Sequence, residues 1–177
     1  MISKPSNYEQ INENSVSRKL PMGGYVCVIR RVEDNEADKY INVEYEVAEG
    51  DYKGIAVDNY EKWGKCGHNF RVYYSDKSLW RFKRFITRVE QTNPGFTFDW
   101  TNINCLVNKG IGLVIGYRQY WGKDGKLKEA LDVQDFCTAG EVRNDELPKQ
   151  PECREPKDPP PAAQVEEVNI DDGTLPF

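Results

Sequence analysis

Residues 39–48 alternate: Ile41, Val43, Tyr45 and Val47 fall on one side, with polar or charged residues between them. A period of two held over this length commits the segment to a half-buried β-strand, because alternate side chains share a face only in an extended chain. Tyr45, on the apolar side, belongs to the core. Such a strand needs neighbours on its edges and an apolar layer against one face, which the rest of the chain has to supply.

Residues 25–32, rich in β-branched and aromatic types, follow the turn signal Pro21-Met22-Gly23-Gly24 and predict a first strand. Ile55, Ala56 and Val57, set off by Gly50 and Gly54, predict a short third strand that residues 68–74 extend. The period then changes. Leu79, Phe82, Phe85, Ile86 and Val89 recur at three- and four-residue spacing and line one face of a helix, with Ser75 or Asp76 as its cap and Asn93-Pro94-Gly95 as its stop. Its other face carries Lys77, Arg81, Lys83, Arg84 and Arg88. The strand signal returns at residues 111–120, Asp124-Gly125 marks a hairpin turn, and residues 128–137 supply a last strand. Three strands, one helix and two strands is the order of the OB-fold. The expectation is therefore a mainly β fold with one helix, an OB-like five-stranded barrel over residues 21–147; other small barrels with one helix share that order. Residues 1–20, polar and aperiodic, are expected to form a flexible arm.

From residue 148 the chain turns to prolines interleaved with charges, a composition that cannot build a core. Residues 148–177 are expected to be a disordered linker ending in an acidic docking peptide. Between Pro151 and Phe177 seven acidic residues face two basic ones, so the whole net charge of −5 sits there. The remaining 22 basic and 22 acidic residues balance. A neutral body can still carry a basic stripe, but bulk charge will not bind a polyanion. Five cysteines without CxxC spacing, no apolar stretch over the first seven residues and no run long enough to span a membrane point to reduced thiols in a cytoplasmic compartment.

The last seven residues, Asp171-Asp172-Gly173-Thr174-Leu175-Pro176-Phe177, carry the sharpest chemistry. A terminal Phe can seat its ring in an apolar pocket while its carboxylate meets a cation. Pro176 lowers the ordering cost, and the acid pair is drawn to a basic rim. This tip resembles that of bacterial single-stranded DNA-binding proteins, with one extra spacer residue. The resemblance implies that Asp171, Asp172, Leu175, Pro176 and Phe177 recruit helicases, primase-associated factors, nucleases or recombination mediators.

The body does not resemble the usual bacterial barrel. It is similar to small phage-encoded proteins found beside replication and recombination genes, over roughly residues 20–150. The matching stretches are Pro21-Met22-Gly23-Gly24-Tyr25-Val26, residues 47–54, Phe85-Ile86 with Asn93-Pro94-Gly95-Phe96, and residues 112–118. That likeness implies a phage setting within a bacterial host cell.

Holding single-stranded DNA takes cations for phosphates and exposed aromatics for unstacked bases. The segment from Tyr117 and Arg118 through Tyr120, Trp121 and Lys123 combines both, as do Trp63 and Lys65, while Arg30 and Arg31 add charge on the first strand. In an alternating strand Tyr117 and Arg118 face opposite ways, so these residues cannot all be contacts. The basic helix face is a solvated surface or a berth for the chain's own acidic tail. Cys66-Gly67-His68 contains the one histidine but lacks metal-ligand spacing, and no phosphate loop, nucleophile elbow or paired catalytic carboxylates are visible, so no cofactor and no catalysis are expected. The expected partners are single-stranded DNA and, through the tip, host or phage replication and recombination proteins. The alternative is an adaptor or decoy that occupies the host protein's tip pockets without binding DNA; a nuclease is a third reading.

Overall fold

The structure, a computed structural model, describes residues 19–64 and 67–158. Among these residues six strands and three α-helices follow one another as β1 (Gly23–Asn35), β2 (Tyr40–Val47), α1 (Ile55–Trp63), β3 (Asn69–Tyr73), α2 (Leu79–Thr92), β4 (Gly110–Trp121), β5 (Leu127–Cys137), α3 (Ala139–Arg143) and β6 (Cys153–Arg154). They form one mainly β sheet in the order β3-β2-β1-β4-β5, antiparallel throughout, with β6 lying parallel to β4.

The alternation of β2 is realised: Ile41, Val43, Tyr45 and Val47 are buried. α2 covers that face with Phe82, Phe85, Ile86 and Val89. Phe85 sits at the centre, its ring 5.3 Å from Phe136 and 5.9 Å from Phe70. Leu79 instead lies exposed in the first helical turn. The helix begins one turn later than Ser75 or Asp76, after Ser78, and only backbone bonds hold that end. At its other end Asn93 donates to the carbonyls of Val89 and Gly110 and accepts from the Gly110 N–H, tying the helix stop to the start of β4.

Residues 55–57 are not a strand. They open α1, and Glu46 is the reason: its buried carboxylate accepts from the Val47, Ala56 and Val57 N–H groups at 2.8, 3.0 and 2.8 Å. Two of those donors belong to the first turn of α1, whose end groups have no partner within the helix. Gly54 enters the helix at φ 81 and Gly64 leaves it at φ 65, conformations that β-branched residues avoid. The β-branched types at 55 and 57 are thus overridden by a contact from ten residues upstream. Glu46→Ala leaves these donors without their acceptor and is expected to cost about 2–3 kcal/mol in urea unfolding, with Glu46→Gln recovering part of it.

The sheet is open where a barrel would close. β3 and β5 form its two ends and do not pair. Arg81 of α2 stands at the β5 edge instead, donating to the carbonyls of Val133 at 2.8 Å and Gln134 at 3.2 Å while lying over the Phe136 ring.

The body also extends beyond the expected limits. Lys19 lies over the Tyr117 ring, and Leu20 is buried, its carbonyl accepting the Tyr117 hydroxyl. Past residue 147 the chain continues as an ordered strap to Asp158. Its Glu152 carbonyl accepts from the Tyr117 N–H, and Gln134, the extra residue of a bulge in β5, grips the Glu152 backbone through both ends of its amide. Gly116 has to be glycine here: a Cβ would meet Gln134 and the Glu152 carbonyl at 2.3 Å. The rest of the expected arm, residues 1–18, and of the expected tail, residues 159–177, lies outside the described residues.

Candidate nucleic-acid interface

The side of the β2–β3 pair away from the core carries the polar half of the alternation. Register sets Tyr40 opposite Tyr73 and Asn42 opposite Arg71. The two tyrosine rings lie 5.3 Å apart, and the Arg71 guanidinium lies 4.6 Å from the centre of the Tyr40 ring. Tyr73 is 41% exposed. These residues form one wall of a cleft of about 700 Å³ that runs into the gap between β3 and β5; Arg81, Arg118, Leu131 and Asp132 line the other side.

Two carboxylates, Glu33 and Asp132, also face the cleft against three arginines, and both are ion-paired: Glu33 with Arg31, which Glu44 shares, and Asp132 with Arg154 at 3.2 Å, which Glu152 shares. Arg71 and Arg118 have no ion-pair partner among the described residues. The cleft is therefore cationic although the body as a whole is neutral. Tyr120, 44% exposed, stands two residues from Arg118 on the same side of β4, roughly 7 Å along the strand.

The residues singled out from sequence divide between places. Arg118 and Tyr120 belong to the cleft or its margin. Arg30 and Arg31 line a second groove, against Val57 and Tyr60 of α1, which meets the cleft at Asn69. Arg31 is paired with Glu33 and Glu44. Trp63 closes α1, and its side chain, like Lys65 and the tip residues 171–177, lies outside the described residues. Trp121 and Lys123 line a third groove beside the strap, where the Trp121 indole N–H donates to the Asp158 carbonyl at 3.0 Å.

Tyr117 is a correction. It is 7% exposed, its hydroxyl is used by Leu20 and Lys19 covers its ring, so it cannot stack on a base. The basic helix face is corrected in part. Arg81 is bonded to β5, Arg84 donates to Asp135 at 3.1 Å, and Arg88 lies 3.7 Å from Glu141, leaving Lys77 and Lys83 on the surface. Tyr40, Arg71, Tyr73 and Tyr60 were missed. Their placement follows from pairing register and from α1, neither of which periodicity alone provides.

His68 is buried against Tyr45, with its Nδ1 unpartnered. Burial pushes the imidazole below its ordinary 6.5, outweighing the attraction of Glu46. The unfolded chain therefore takes up a proton first as the pH falls. Stability from this group is complete above about pH 6.5 and declines as the pH drops towards the folded value. Thermal unfolding followed from about pH 7.5 to pH 5 is expected to show a falling Tm on the acid side, and His68→Asn to flatten that limb.

Among the described residues no cluster of His, Cys, Asp or Glu could hold a metal ion, and no helix is long and apolar enough to cross a membrane. No family model matches the chain, and no curated protein matches it.

Proposed function

We propose that the chain is a non-enzymatic single-stranded-DNA-binding protein that holds the strand in the β2–β3–β5 cleft and recruits replication, recombination or repair proteins through its C-terminal tip. The observation that carries this reading is the combination of a tilted Tyr40–Tyr73 pair, an Arg71 beside it and an unpaired Arg118 across a cleft whose two carboxylates are each held in an ion pair. Cations at phosphate reach and aromatic faces for bases are what sequence-tolerant binding requires. The strand order supports the finer reading as an OB barrel: joining β3 to β5 would close the sheet in that fold's cyclic order, with α2 packed against β3, β4 and β5 near the seam. The tip reading rests on residues 171–177 and their resemblance to the bacterial tip. Nineteen residues follow Asp158, a reach of about 65 Å when extended, enough to present the peptide away from the bound strand.

Anisotropy of a labelled oligothymidine titrated with the full chain at low and moderate salt tests the reading. Binding is expected, weakening with salt with a log–log slope of about 2 for three phosphate contacts. No binding at micromolar protein and low salt overturns it and favours the adaptor.

A further inference from the structure

We propose that the strap formed by residues 147–158 is part of the nucleic-acid surface, and that Lys157, with Tyr120, Trp121 and Lys123, forms a further subsite for the same single strand. The inference rests on the reading that the cleft takes such a strand. It gives binding work to residues whose composition marks them as spacer.

The first observation is how firmly the strap is held. β6 pairs in parallel with Tyr117 and Arg118, the latter a cleft residue. Gln134 satisfies both backbone groups of Glu152 at 2.7 and 3.0 Å, and the Trp121 indole N–H closes the far end on Asp158. A spacer needs none of these bonds. The second is charge. Arg154 of the strap reaches Asp132 at 3.2 Å while also pairing with Glu152 at 3.0 Å, and so offsets one of the two carboxylate charges that would face a phosphate in the cleft.

The third is the groove that the strap completes. It measures about 400 Å³, with Tyr120, Trp121 and Lys123 on the β4 side and Pro156, Lys157 and Asp158 on the strap side, so that two lysines face one carboxylate there. Lys123 and Lys157 have no ion-pair partner among the described residues, and the nearby Asp124 is occupied by Lys128 at 3.3 Å. Two free ammonium groups beside an exposed tyrosine suit a phosphate and a base. Tyr120 joins this groove to the cleft, since it follows Arg118 on the same side of β4.

The test uses the full chain, with labelled oligothymidine as probe and anisotropy at several salt concentrations as readout. Lys157→Ala is expected to weaken binding about threefold and to lower the salt slope by about 0.7, and Lys157→Glu to weaken it about tenfold. Arg154→Ala, which frees Asp132, is expected to weaken binding by a similar factor. Both residues lie on the surface, so an unchanged Tm is expected and separates lost contacts from lost fold. Variants that bind within twofold of the parent, with the parental slope, overturn the strap's role while the cleft reading stands. A parent chain that binds no oligothymidine overturns both.

Discussion

With Tyr40 and Tyr73 both replaced by alanine, the full chain is expected to bind oligothymidine at least about thirtyfold more weakly. Each stacked base is worth about 1–3 kcal/mol, so two stacking faces together supply about 2 kcal/mol at the least. The double replacement also removes the ring beneath Arg71, freeing the guanidinium from its resting position. Both side chains lie on the outer side of the β2–β3 pair, away from Phe85 and Phe136, so the unfolding midpoint is expected to move little. Anisotropy titration and thermal unfolding on the same samples check the two halves of this expectation. Arg118→Ala belongs to the same experiment: it is expected to lower the salt slope by about 0.7, since it removes one phosphate contact and no stacking face.

The largest stability effect is expected at Phe85. Its side chain is fully buried and packs against Phe70 and Phe136, where α2 meets both ends of the open sheet. Phe85→Ala is expected to cost about 3–5 kcal/mol, through lost burial and the cavity left among rings that cannot collapse onto it. For a body of this size that corresponds to a fall in Tm of roughly 10–15 °C. Because no strand pairing joins β3 to β5, this aromatic cluster carries more of the connection between the sheet's ends than it would in a closed barrel. A fall of only one or two degrees would mean that Arg81 and the backbone hold the ends without it.

What could be read from sequence was what repeats locally. The period of two in β2, the three- and four-residue spacing of Phe82, Phe85, Ile86 and Val89 in α2 and the Asp124-Gly125 turn between β4 and β5 are properties of neighbouring residues, and each appears where the pattern places it. α1 was not legible. Ile55 and Val57 favour extended backbone, and the carboxylate that organises the helix start belongs to Glu46, on the preceding strand. The strap was hidden for a similar reason: Gln134, Gly116 and Glu152 are far apart in the chain, and composition alone makes residues 148–158 look like spacer.

The candidate site was half legible. Arg118 and Tyr120 stood out because basic and aromatic residues are adjacent in the chain. Tyr117 stood out for the same reason and proved to be on the buried side of the strand. Tyr40, Arg71 and Tyr73 are spread over two strands and meet only through register. Charge misled in both directions. The body is neutral in sum, yet its carboxylates at the cleft are taken up by Arg31 and Arg154, while most of the basic residues on α2 are spent on the fold.

The most direct measurement is photocrosslinking of the full chain to an oligothymidine carrying 5-iodouracil, with the attachment sites read by mass spectrometry. Crosslinks at Tyr40, Tyr73 or Tyr120 are the expected result, and unlabelled oligothymidine should compete them away. Crosslinks confined to α2 or to the α1 groove, or none under conditions where the strand is bound, would contradict the assignment of the β2–β3–β5 cleft as the DNA site.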